Sequence, residues 1–164
     1  METPVTASML YDFVQCPHRL TMDLFGDSRK RDKVNPFVEL LWQKGTAHEK
    51  DVISDCGTPF LDLSIYAGDE KERLTTEAIN NGVELIYGGR IQYENLLGDP
   101  DLLRKERNGY LAGDIKSGAG IEGDNDSGKL KTHYAVQVAL YTDILERMGV
   151  SSCRTPFIWE IHHQ

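Results

Sequence analysis

The stretch Gly98-Asp99-Pro100-Asp101-Leu102-Leu103-Arg104-Lys105-Glu106-Arg107-Asn108-Gly109-Tyr110-Leu111-Ala112-Gly113-Asp114-Ile115-Lys116 decides the reading of this chain. Asn-Gly between apolar segments is the strongest short-range signal for a β-hairpin. A two-residue loop at Asn108 and Gly109 predicts Arg107 opposite Tyr110, Leu103 opposite Asp114 and Asp101 opposite Lys116. Alternation along the strands then puts Asp101, Asp114 and Lys116 on one face. Two acids and a lysine on one patch are costly without a common partner, and a divalent cation holding a phosphate is such a partner. Leu102, Leu111 and Ile115 point the other way, able to anchor the hairpin to a core while the charged face stays reachable.

Composition sets the outer bounds. A chain of 164 residues fits one domain spanning 1–164. Apolar content of 40% with 27% charged residues argues against wholesale disorder. The net charge of -8 means that nucleic acid, if bound, is gripped by local groups or through a bound metal rather than by the global field. No membrane segment and no targeting signal are read from the sequence, so a cytoplasmic location is expected. Cys16, Cys56 and Cys153 are widely spaced and odd in number, which argues against a disulfide framework.

Outward from the hairpin, Thr6 caps a short helix with Leu10, Phe13 and Val14 as its apolar stripe, ended by Pro17. A second helix runs from Pro17 towards Phe25. Arg29, Lys30, Arg31 and Lys33 form the densest basic cluster, either a solvated connector or a contact to a nucleic-acid backbone. Asn35-Pro36 opens a helix to about Ser54, on which Leu41, Gly45, His48 and Val52 share a face. Gly45 costs about 1 kcal/mol relative to alanine there, which predicts a close approach of backbone or ligand one turn before His48. His48 reads as a packed histidine or as a ligand; spacing alone does not choose.

Phe60 to Tyr66 reads as a strand, Asp69 to Asn80 as a helix ended at Gly82, and Val83 to Tyr87 and Arg90 to Leu97 as strands. Gly88-Gly89 between them marks a bulge, a bend or a close backbone approach. A long helix is expected from His133 to Met148, stopped by Gly149, and a terminal strand from Phe157 to His162. Residues 117–132 should form a mobile loop, conceivably a flap over substrate. Three apparent motifs inside it fail on chemistry. Gly118, Gly120 and Gly123 imitate a dinucleotide fingerprint, but Asp124 and Asp126 follow where phosphate would sit. Leu130 stands where a P-loop needs its hydroxyl, and Ala135 where a calcium loop needs its glutamate.

Gly45-Thr46-Ala47-His48-Glu49, Gly98-Asp99-Pro100-Asp101-Leu102-Leu103, Asp114-Ile115-Lys116 and Gln137-x-x-x-Tyr141, in this order and at these intervals, resemble the motif series of the RecB-like branch of the PD-(D/E)XK nuclease superfamily. Thr6-Ala7-Ser8 through Cys16-Pro17-His18-Arg19 resembles the helical opening of the same branch. The likeness therefore covers most of the chain, from about Thr6 to Tyr141. It implies an α/β (α+β) domain with a restriction-endonuclease-like core, a mixed central sheet flanked by helices. It also implies a metal-dependent DNA nuclease, an exonuclease of repair, recombination or defence, leaving a 5′-phosphate and a 3′-hydroxyl. Asp101, Asp114 and Lys116 would be catalytic, and His48, Asp101, Asp114 and the main-chain carbonyl of Ile115 would hold Mg²⁺ or Mn²⁺. Gln137, Tyr141 and Arg19 would contact substrate, DNA with a single-stranded region or end. Glu49 stays open, because related branches use a helical glutamate in the first motif. The related CRISPR-adaptation exonucleases carry an iron–sulfur cluster, but the C-terminal cysteine group is missing here and no cluster is expected. The chain could be a stand-alone module or the N-terminal part of a longer protein, with a helicase or other nuclease-associated domain as partner.

Two alternatives stand beside this expectation. One is a non-cleaving DNA-binding or scaffold module that keeps the fold and needs a partner protein, against which the retention of Asp101, Asp114 and Lys116 counts. The other is a metal-dependent hydrolase of a smaller acidic substrate. Trp42, Tyr93 and Tyr110 could stack on bases or simply pack.

Overall fold

The computed structural model describes residues 3–116, 121–122 and 129–160. Its elements begin where side chains satisfy free backbone groups. Thr6 ends the short strand β1 (Val5–Thr6) and its hydroxyl accepts from Met9 N, opening α1 (Ala7–Gln15). Pro17 starts α2 (Pro17–Phe25), and Asp27 caps a single 3-10 turn over Ser28–Lys30. The Asn35 side chain accepts from Phe37 N and Pro36 occupies the first turn of α3 (Pro36–Asp55), as the sequence predicts.

Beyond α3 come β2 (Leu61–Asp62), α4 (Gly68–Asn80), β3 (Leu85–Tyr87), β4 (Ile91–Tyr93), β5 (Leu96–Gly98), β6 (Leu102–Glu106) and β7 (Gly109–Lys116). The strand expected over 60–66 is thus only two residues long. The single strand expected from Arg90 to Leu97 is a hairpin instead: Glu94 adopts φ 51° and turns β4 back onto β5. Those strands join β1 in a small sheet ordered β1-β5-β4, separate from the main one. The segment expected to be a loop over 117–132 contains a two-stranded ribbon, β8 (Ile121–Glu122) antiparallel to β9 (Lys129–Leu130). Residues 117–120 and 123–128 lie outside the described residues. Last come α5 (Thr132–Arg147), with Gly149 at φ +72° just after it, and β10 (Phe157–Glu160). The expected continuation of that strand to His162 passes outside the described residues.

The main sheet is mixed, ordered β10-β7-β6-β3-β2. β10 runs parallel to β7 and β2 parallel to β3, while β6 is antiparallel to both β7 and β3. Helices flank it on both sides, so the chain is an α+β domain. Leu103, Tyr110 and Ala112 face a core shared with Ala78 of α4 and with Val138, Leu140, Tyr141, Ile144 and Leu145 of α5. Leu85, Tyr87, Leu102 and Ile115 face a second cluster with Ile53 of α3 and with Phe157 and Trp159 of β10.

The hairpin exists, but its turn is displaced. Glu106 pairs with Gly109 and Leu102 with Gly113, so the loop residues are Arg107 and Asn108. Gly109 is demanded by packing rather than by the turn. A Cβ there would lie 2.3 Å from Val150 O, because Tyr110 N donates to Val150 O and Ser152 N to Tyr110 O. The displacement is two residues along the pairing, and an even shift keeps every side chain on its expected face. The charged face is not open, however, since α5 crosses it and leaves Asp114 only 2% exposed.

Among the described residues no helix is long and apolar enough to cross a membrane. Phe25, Phe37 and Trp42 lie exposed on α2 and α3, whereas Tyr110 is buried with its hydroxyl donating to Val83 O.

Candidate active site

Extending the β6–β7 register by two residues sets Pro100 opposite Ile115 and Asp101 opposite Asp114. Proline has no N–H, so it cannot complete the ladder with Ile115. The Ile115 N–H turns instead to a side chain, donating to Asp101 Oδ2 at 2.7 Å. The carbonyl of Ile115 points to the same strand edge as its N–H, towards Asp101. A carboxyl, a carbonyl edge and the neighbouring Asp114 carboxyl thus meet where the ladder ends.

Four contacts pin the loop that delivers Asp101. Gly88 N donates to Asp101 O at 2.8 Å. Arg90 grips Asp99 with two bonds, 2.8 and 3.0 Å. Tyr141 donates its hydroxyl to Asp99 O at 3.3 Å, and its ring lies where a Cβ on Gly98 would stand. Finally, the fully buried Thr75 of α4 accepts from Arg90 N at 2.9 Å, fixing Gly88–Arg90 from the other side. Gly88-Gly89 is accordingly a close approach, with a Cβ on Gly88 falling 2.9 Å from Ser64 Cα.

The electrostatics are those of a site short of positive charge. Burial pushes the Asp101 carboxyl well above the ordinary aspartate range; the Asp114 charge, a hydrogen bond with Asp114 and the Glu49 charge push the same way, opposed by the Ile115 N–H. Lys116 Nζ lies 2.6 Å from Asp114 Oδ2. That oxygen nevertheless has no well-aligned hydrogen bond, so the contact is a charge pair rather than a directed bond. For Lys116, burial disfavours the ammonium, but Asp114, Asp101 and Tyr134 together outweigh it and the lysine holds its proton more firmly than usual. Its Nζ sits 5.3 Å from the centre of the Tyr134 ring, which Lys131 Nζ also approaches to 5.5 Å.

A cleft of 370 Å³ opens beside Asp101, between Thr46, Glu49 and Lys50 of α3, Lys71 of α4, and Ser64-Ile65, with Tyr87, Gly88 and Asp99–Asp101 as its floor. Burial, then Glu49 and Asp101, push the Tyr87 hydroxyl up to about 12.

Asp101, Asp114, Ile115 and Lys116 are therefore brought together, and Glu49 joins Asp101 at the cleft. His48 is helical in α3, and its side chain lies outside what is described. No backbone approaches Gly45 closely among the described residues, where a Cβ would meet no protein atom within 4 Å. Gln137 carries a buried Oε1 without a hydrogen bond. Tyr141 is buried and its hydroxyl donates to Asp99 O, a placement that supports the loop carrying Asp101. Arg19 is exposed and paired with Asp12 and Asp23. Within the basic cluster, Arg29 pairs with Asp27 and Arg31 with Asp23, as a solvated connector would. Arg90, Lys50 and Lys71 carry no sequence signal; they come from three separate segments that only the tertiary fold unites.

Among the described residues no three His, Cys, Asp or Glu side chains form a metal-holding group. The donor set nonetheless fits a hard cation: two adjacent carboxyls, one forced towards its protonated form, and a buried carboxylate oxygen without a directed donor. No family model matches this sequence, and no curated protein matches it significantly.

Proposed function

We propose that this domain hydrolyses phosphodiester bonds in DNA with a divalent cation, Mg²⁺ or Mn²⁺, and that its sheets and helices are those of a restriction-endonuclease-like, RecB-like nuclease core. The observation that supports this most is the apposition of Asp101 and Asp114 at the end of the β6–β7 ladder, with Lys116 Nζ 2.6 Å from Asp114. Such a pair of acids is unfavourable alone and becomes favourable once a cation joins it.

Asp101, Asp114 and the Ile115 carbonyl would hold the cation, which supplies charge neutralisation for the scissile phosphate and eases ionisation of water. The chain's own groups divide the remaining work. Lys116, held protonated by Asp114, does not begin as a base; its ammonium donates to the attacking water or to a non-bridging phosphate oxygen and steadies the charge that develops there. Tyr134 and Asp114 fix its position. The new bond joins the water oxygen to phosphorus as that water gives up a proton to solvent, the bond to the 3′ oxygen breaks, and that oxygen takes a proton from solvent, giving a 5′-phosphate and a 3′-hydroxyl.

The deciding experiment is cleavage of end-labelled single- and double-stranded DNA in Mg²⁺, Mn²⁺ or EDTA by wild type, Asp114→Ala and Lys116→Ala. Metal-dependent cleavage lost in both variants supports the reading. Folded wild type that cuts no substrate overturns it in favour of a binding or scaffold module.

A further inference from the structure

We infer that the cleft beside Asp101 is a channel for a single nucleic-acid strand, in which Lys50 and Lys71 hold the phosphate adjoining the scissile one. This rests on the nuclease reading of Asp101 and Asp114 and names how that site takes its substrate.

The chain carries a net charge of -8, so attraction of a polyanion has to come from cations that are not already spent. Most are spent. Arg19, Arg29, Arg31, Arg73, Arg90, Arg104, Arg147 and Arg154 are each paired with a carboxylate, as are Lys105 and Lys116. Lys50 and Lys71 make no ion pair among the described residues, and both line the cleft that holds Asp101. They come from different helices, α3 and α4, so they face the space between from two walls.

The same cleft carries both signs of charge. Glu49 and Asp101 lie with the lysines around one space, the acids suited to a cation and the lysines to phosphate, while Asp99 is held by Arg90. Ser64 supplies a hydroxyl, and Ile65, 79% exposed, an apolar surface for a base. Gly88, at φ +65°, lets the Ser64 backbone close against the floor, so this wall is built rather than accidental. Its volume of 370 Å³ lies at the lower end for a small-ligand cleft, the scale of a single nucleotide unit.

The test is the binding of a fluorescein-labelled oligothymidylate across a NaCl series in EDTA, followed by anisotropy, for wild type, Lys50→Ala/Lys71→Ala and Lys44→Ala. Lys44 is an exposed cation of α3 outside the cleft and serves as the control. Each phosphate contact on a single strand contributes about 0.7 to the slope of log affinity against log salt. The double alanine variant should lose about 0.7 from that slope, the share of the one phosphate the two lysines hold, and Lys50→Arg/Lys71→Arg should restore it, while Lys44→Ala keeps the wild-type value. In cleavage, the double alanine variant should raise KM with little change in kcat. An unchanged slope in the double variant, or no oligothymidylate binding by wild type, overturns the channel. Binding with the expected slope change but no cleavage by wild type leaves the channel standing and removes the nuclease reading.

Discussion

Asp101 Oδ2 accepts from Ile115 N at 2.7 Å across the gap where Pro100 ends the β6–β7 ladder. The carboxyl thereby takes the Ile115 N–H at the end of the ladder while standing beside Asp114. The bond orients Asp101, and burial with like charge makes its ionised form expensive.

Asp101→Asn keeps an oxygen for Ile115 N and removes one charge from the pair. The metal-free variant should be more stable than wild type at neutral pH by about 1–3 kcal/mol, the scale of relieving an uncompensated buried group. For a domain of this length each kcal/mol is worth about 2–4 °C in Tm. The sign with pH follows from the raised folded value: the stabilisation of wild type by protonated Asp101 is complete below about pH 4 and is lost as pH rises through the folded value. The gap between variant and wild type should therefore widen from acid to neutral pH. Thermal melts in EDTA over that range measure it, and a gap that narrows would contradict the assignment.

Divalent cation should reverse the ranking. Mn²⁺ binding only to the folded state stabilises by mass action, about 2.7 kcal/mol at a hundred times Kd. Wild type should gain Tm with Mn²⁺ and lose it again with EDTA, whereas Asp101→Asn and Asp114→Asn should gain little. Equal gains in all three would place the cation elsewhere.

Arg90 reaches neither Asp101 nor Asp114, yet its two bonds to Asp99 fix the loop that carries Asp101. Because the pair is partly solvent-exposed, Arg90→Ala should cost only about 1 kcal/mol of stability. The loss in Mn²⁺ affinity should be larger, about 10–100-fold, as for other groups that orient metal ligands. Arg90→Lys should recover part of it, since an ammonium cannot make the two-point contact. Calorimetric titration beside thermal melts separates the two effects.

Tyr134 offers its ring to Lys116 and Lys131. Tyr134→Leu should lower kcat about 2–30-fold, corresponding to a cation–π contribution of about 0.5–2 kcal/mol. Tyr134→Phe should retain activity because the ring, not the hydroxyl, makes the contact. Loss in both variants would point to the hydroxyl instead.

Local chemistry was legible in the sequence where it acts locally. Thr6, Asn35-Pro36 and Gly149 mark helix ends because capping needs only neighbouring atoms. The hairpin and its faces were legible through alternation, which survives the two-residue displacement. Its turn was misplaced because Gly109 answers to Val150, 41 residues further along the chain and beyond any local window. For the same reason the reversal at Glu94, the burial of Asp114 beneath α5, and the placing of Lys50 and Lys71 around one cleft left no trace in any motif. The apposition of Asp101 and Asp114 was readable as a shared face, but not the direct pairing that gives it its charge.

Gly45 and Gly109 give opposite answers to one substitution. Gly45 lies inside α3 with open space where a Cβ would go, so Gly45→Ala should stabilise the protein by about 1 kcal/mol through helix propensity alone. It should leave Mn²⁺ affinity unchanged, since no described protein atom approaches that position. Gly109→Ala sets a Cβ 2.3 Å from Val150 O and 2.8 Å from Ser151 C, both backbone atoms that cannot swing aside, at φ 151°. It should destabilise by about 1–3 kcal/mol and loosen the hydrogen bond from Tyr110 N to Val150 O. Denaturant melts give both values, and amide exchange at Tyr110 reports the second directly. A destabilised Gly45→Ala with weakened Mn²⁺ binding would mean that a ligand or backbone does come close to that turn of α3 after all.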